Sequence, residues 1–199
     1  MSDPAVAKAT FSDGKSEDYP KGTSFAQIIE KKGGLPRSII AVKVNGNLYD
    51  LTAPLSEDAA IEFVDIDSVE GQDILRHSTS HVMAQAVQDL YPGVKITIGP
   101  SIENGFYYDF DYERPFNPED LEKIESRMKE IIADDIPIHK KIFSMQEALT
   151  FFKEKGELYK VELIEELPEG IIIAYTQNGF TDLCRGPHLP TTGRKKAFK

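Results

Sequence analysis

The chain has 199 residues, of which 40% are hydrophobic and 28% charged, and its formal net charge is −10. That balance is globular and excludes wholesale disorder. An overall acidity of this size also argues against a general nucleic-acid coat protein, although a local basic groove stays open because the field that matters is that of the site. No apolar run approaches the ~20 residues of a membrane span, the amino terminus opens no signal peptide, and the single cysteine, Cys184, makes no internal disulfide. These features point to a cytoplasmic chain with no membrane partner.

The first elements describe a small mixed unit. A short alternating stretch over residues 8–11 is followed by a turn signal at 12–15. Phe25, Ile28 and Ile29 then fall at helical spacing, with Thr23 or Ser24 placed to cap the start and Gly33-Gly34 to stop it. Residues 39–44 read as a strand, Asn45-Gly46 as a hairpin turn, 47–51 as the returning strand and 60–64 as a last strand. Hairpin, helix, hairpin and final strand form the order of a ubiquitin-like β-grasp unit.

Residues 65–70 are acidic and polar and serve as a joint. From Gly71 a long helix is expected, with Ile74, Leu75, Ser78, Val82, Ala86 and Leu90 on or near one face, and Tyr91-Pro92-Gly93 ends it. Residues 94–98 read as a strand and 105–111 as an aromatic strand. Asn117 and Pro118 then start a helix carrying Leu121, Ile124, Met128, Ile131 and Ile132, with its acidic residues forming a solvated outer face. A short helix over 144–155 and closing strands at 171–175 and 180–183 complete the chain.

Three of the four histidines fall in two tight motifs. His77 and His81 are four residues apart inside the long helix, so both imidazoles can point at one spot. Cys184 and His188 enclose Gly186-Pro187, a turn that can bring thiolate and imidazole together. Two such pairs make a complete zinc donor set of ordinary type, although a lone buried cysteine is more often a small apolar residue. A metalloprotease is excluded, because the position after the first histidine is Ser78 rather than glutamate. His139 stands outside any such pattern and reads as structural or exposed.

Four segments carry a family resemblance: His77-Ser78-Thr79-Ser80-His81; residues 98–109 from Ile98-Gly99-Pro100 to Tyr107-Tyr108-Asp109; Lys155-Gly156-Glu157-Leu158-Tyr159-Lys160-Val161; and Asp182-Leu183-Cys184-Arg185-Gly186-Pro187-His188. In this order they resemble the amino-terminal region of bacterial-type threonyl-tRNA synthetases. The resemblance implies an α+β protein, with a TGS-like β-grasp domain over residues 1–65 and an editing domain over 66–199. In the latter a long His-bearing helix packs on an antiparallel sheet. The implied activity is hydrolysis of the ester of mischarged seryl-tRNA(Thr) to serine and tRNA(Thr). His77, His81, Lys160, Asp182, Cys184 and His188 are the implied catalytic residues, and Tyr108 and Arg185 are candidates for substrate contact.

The same resemblance implies editing without a cofactor, with zinc conceivable at His77, His81, Cys184 and His188. ATP and a further zinc belong to a class II catalytic domain expected beyond residue 199, so this chain alone is expected neither to activate threonine nor to charge tRNA. As such a fragment it is expected to be a monomer, and the full-length protein a homodimer. Lys140, Lys141, Arg194, Lys195 and Lys196 are the local basic groups for the tRNA acceptor end. Two other readings stay open: a freestanding alanyl-type zinc deacylase, and a non-catalytic RNA-binding module with structural zinc.

Overall fold

The computed structural model describes residues 5–97, 99, 101–102 and 105–194. Contacts within the chain divide it into two compact units, Met1–Leu75 with Gly186–Pro190, and Arg76–Arg185 with Thr191–Lys199.

The first unit holds β1 (Val6–Phe11), β2 (Ser16–Pro20), α1 (Phe25–Lys31), β3 (Ile39–Val44), β4 (Asn47–Asp50) and β5 (Ala59–Asp65). They form one sheet in the order β2-β1-β5-β3-β4, with β1 and β5 parallel at its centre and every other pairing antiparallel. In β1 alternate residues Ala7, Ala9 and Phe11 turn inward and pack with Phe25 and Ile28 of α1, Val42, Leu55 and Ile61. Ser24 is the cap of α1, in a reciprocal box with Gln27. The β3–β4 turn places both Asn45 and Gly46 at positive φ, 50° and 85°, as a two-residue hairpin of the primed type requires.

Helix α2 (Val69–Leu90) begins two residues earlier than expected and runs from the first unit into the second. Its residues 78–87 are buried almost continuously rather than along one stripe. The second unit continues with β6 (Lys95–Ile96), β7 (Ser101–Ile102), β8 (Gly105–Phe106), β9 (Phe110–Asp111), α3 (Pro118–Ala133), β10 (His139–Ser144), α4 (Met145–Glu154), α5 (Leu158–Glu165), β11 (Ile171–Gln177) and β12 (Phe180–Leu183). Among the described residues the architecture is thus mixed, with five helices and four sheets.

Sheet β10-β11-β12 is antiparallel throughout, and α4 and α5 pack on it through Phe152, Val161 and Ile164 against Ile172 and Ala174. The middle of α2 packs Val82, Ala86 and Val87 against Ile124, Met128 and Ile131 of α3. A smaller cluster joins Ala84 of α2 to Ile96, Tyr108 and Phe180. Among the described residues, no helix is long and apolar enough to cross a membrane.

Several expectations need correction. The strand over 94–98 is reduced to the two residues of β6, and Ile98 lies outside the described residues. The aromatic strand over 105–111 is two short pieces, β8 and β9, that pair with different partners. Strand β10 and helix α5 were not expected at all. The outer face of α3 is not wholly solvated: Asp120 is buried, accepting from Arg114 Nη1 at 2.5 Å and Nη2 at 3.1 Å, and from the Tyr91 hydroxyl at 3.0 Å. Those bonds hold its carboxyl well below the usual carboxylate range, the Arg114 guanidinium contributing most. His139 is exposed on the edge strand β10.

Candidate active site

Helix α2 sets His77 and His81 one turn apart, their rings edge to face with centroids 5.1 Å apart. Ser80 sits between them. Its Oγ lies 2.8 Å from the His77 carbonyl and 2.9 Å from the Gly99 carbonyl, so its hydroxyl ties the helix to Gly99. Gly99 is there because nothing larger fits: a Cβ at this position would stand 2.0 Å from the Tyr108 ring.

Two other elements converge on the histidines. Helix α5 carries Lys160 and strand β12 carries Asp182, and their side chains form an ion pair in which each is only 3% exposed. The Lys160 ammonium also donates to the Thr97 carbonyl, and the Tyr108 hydroxyl donates to Asp182 Oδ2. His81 Nε2 lies 3.8 Å from that same Oδ2. Burial drives the His81 pKa down to about 4 and outweighs the attraction of Asp182, so near neutral pH the imidazole is uncharged. Burial, reinforced by Asp182, pushes the Tyr108 hydroxyl strongly upward, and Tyr108 therefore remains a donor.

Just past β12 the Cys184 backbone N–H bonds the Ile173 carbonyl at 3.1 Å, and this fixes its thiol 3.2 Å from His77 Nε2. A cavity of about 490 Å³ opens over these groups; His77, His81, Lys160, Asp182, Cys184 and Arg185 all line it, with Leu163 and Leu183 giving an apolar side. Tyr108 stands behind the wall, and Arg185 is exposed. His188 lies in Gly186–Pro190, which groups with the first unit; it is buried and its backbone N–H donates to Asp50 Oδ1 at 3.0 Å. Lys140 and Lys141 are exposed on β10, and Lys195 and Lys196 lie outside the described residues.

The donor atoms of His77, His81 and Cys184 all lie within 4.8 Å of one another. Two imidazole nitrogens and a sulfur at that spacing suit zinc, whose bonds to such ligands run about 2.0–2.3 Å. Sequence reasoning did not single out Gly99, which lines the cavity, nor the Ser80 hydroxyl and the Thr97 carbonyl, which bond Gly99 and Lys160. Ser80 could have been noticed as the residue between the two histidines, whereas carbonyls leave no mark in a sequence.

The family described as the threonyl and alanyl tRNA synthetase second additional domain matches residues 173–199. The chain is 48% identical over 196 residues to a threonine–tRNA ligase of Desulforamulus reducens, covering 98% of this chain and 31% of that protein. It is 47% identical over 197 residues to that of Symbiobacterium thermophilum, and 50% identical over 191 residues to that of Citrifermentans bemidjiense, each time covering 30% of the relative. The chain thus spans about a third of the length of the curated relatives it matches. Over nearly its whole length the chain is similar in sequence to threonine–tRNA ligases.

Proposed function

We propose that this chain is the editing region of a threonyl-tRNA synthetase, hydrolysing the ester of mischarged seryl-tRNA(Thr). The convergence of two imidazoles, a thiol and a buried lysine–carboxylate pair on one cavity carries this reading. The similarity to threonine–tRNA ligases supports it. Residues 66–199 would form the editing domain, and residues 1–65 a TGS-like domain, a reading supported by the sheet order with parallel β1 and β5 at its centre.

The need for such a site is physical. Serine lacks one methyl of threonine, and a pocket for the larger side chain gains only ~1–3 kcal/mol of discrimination from a methylene; a second, hydrolytic site supplies the rest. Water attacks the ester carbonyl and the developing oxyanion must be stabilised by preorganised donors. The Lys160 ammonium, fixed by Asp182 and Thr97, is the donor in reach of the cavity. A general base works best when its pKa lies near the working pH, and His81 at about 4 is a weak one near neutrality. His77, beside Cys184, is therefore the group to take the proton of the water, and His81 orients it. Tyr108 keeps Asp182 in place, His188 completes the set that the family resemblance implies, and Arg185 at the mouth suits a phosphate of the acceptor end. Should zinc be held by His77, His81 and Cys184, it would supply an acidified water.

The test is release of serine and of threonine from tRNA(Thr) by this chain, with and without chelator, beside His77→Ala. Selective release of serine that survives chelation and disappears in His77→Ala is expected. Loss of activity with chelator would move the proposal to a zinc mechanism, and absence of hydrolysis at high protein concentration would overturn it for the isolated chain.

A further inference from the structure

A further carboxyl, Glu157, precedes Lys160 by one turn. Glu157 stands at the start of α5, yet its side chain makes no capping bond to that helix. Its Oε1 accepts from Gln88 Nε2 at 2.7 Å, while Oε2 is buried and, among the described residues, has no hydrogen-bond partner. A buried polar atom left in that state costs stability, so a purely structural position would favour an apolar side chain. Gln88 is eleven residues beyond His77 on α2, about three turns along the same face. Lys160 is one turn beyond Glu157 on α5.

We propose that Glu157, anchored by Gln88, is a positioning residue for Lys160. Its carboxylate supplies the buried ammonium with a negative charge in addition to that of Asp182. Asp182 is already divided between Lys160, the Tyr108 hydroxyl and the neighbourhood of His81. A buried amine keeps its charge at a cost, and a second carboxylate offsets it. The charged and titratable groups around Glu157 are Lys160 on the same helix, Lys95 of β6, whose Nζ donates to the adjacent Gly156 carbonyl at 3.1 Å, Asp182 of β12 and Tyr108. Burial raises the Glu157 carboxyl above the ordinary range, and the two lysines oppose that rise. Protonating Glu157 withdraws its charge from Lys160. The proposal rests on the hydrolytic reading of the cavity.

Glu157→Gln keeps the shape and the acceptor for Gln88 and removes the charge; Glu157→Asp keeps the charge. Single-turnover release of serine from seryl-tRNA(Thr) would be followed from pH 5 to 9, with unfolding midpoints measured in parallel. Glu157→Gln is expected to lower the rate constant about tenfold at unchanged KM and to make the fall of activity on the acid side shallower, with partial recovery in Glu157→Asp. A wild-type rate with an intact acid limb in Glu157→Gln would overturn the proposal, as would equal losses in both variants that follow their unfolding midpoints. A wild-type chain that releases no serine would sink the hydrolytic reading instead. The coupling itself is then read by carbon-13 titration of the Glu157 carboxyl: Lys160→Met must move its midpoint upward, and an unmoved midpoint would overturn the proposal independently of activity.

Discussion

Lys160 and Asp182, drawn from a helix and a strand that are 22 residues apart in the chain, meet as an ion pair with both side chains 3% exposed. Removing one partner of such a pair leaves an uncompensated buried charge, which costs about 3–5 kcal/mol, whereas removing both charges costs much less. Asp182→Asn is therefore expected to destabilise the chain by about that amount in urea denaturation. The double variant Asp182→Asn with Lys160→Met is expected to be more stable than Asp182→Asn alone. A double variant whose loss equals the sum of the two single losses would show the pair to be energetically uncoupled.

Phe152 is fully buried in the core that seats α5 on the β10-β11-β12 sheet. Phe152→Ala removes most of a large side chain and is expected to cost about 3–5 kcal/mol, and Phe152→Leu less. Because α5 carries Lys160, hydrolysis in Phe152→Leu is expected to fall more than its remaining folded fraction explains. A rate that simply follows that fraction would separate the core from the site.

The Asp120–Arg114 pair gives a pH dependence of defined sign. The folded carboxyl is depressed below its ordinary value of 3.8, so its stabilisation is fully present above that value and is lost as the pH falls through the folded titration. Asp120→Asn is expected to lower the melting midpoint at pH 7, and the gap to wild type should close progressively below about pH 4. A gap that is constant with pH would assign the loss to the helix cap rather than to the charge.

Folding is expected not to require metal, since the apolar cores of the second unit are built from residues other than the histidine and cysteine donors. Dialysis against chelator should leave the melting midpoint unchanged. A fall that stoichiometric zinc restores would instead make His77, His81 and Cys184 a structural clamp, as metal binding then contributes to folding.

What was legible in the sequence was what has local chemistry. Ser24, Asn117 and Ser144 each close a capping box, so α1, α3 and α4 announce their own starts, and Asn45-Gly46 announces its hairpin. Helix α5 was illegible because its pattern is mixed: Val161 and Ile164 are buried, but so is Lys160, while Leu158 and Leu163 are exposed. There tertiary placement overrides the hydrophobic pattern. Strand β10 is an edge strand with five of its six residues exposed, leaving no alternation to read. In the cavity, spacing alone picked out His77, His81 and Cys184. Lys160, Asp182 and Tyr108 became candidates only through the family resemblance, because a buried ion pair between distant elements has no local signature. Glu157 and Gln88 are 69 residues apart and were invisible for the same reason.

The close approach of Gly99 to Tyr108 makes the cavity wall and its charge network one mechanical part. A methyl group at position 99 would run into the tyrosine ring, whose hydroxyl donates to Asp182, which in turn pairs with Lys160. A side chain at position 99 would therefore press on the ring that holds Asp182 and, through it, on the ammonium of Lys160.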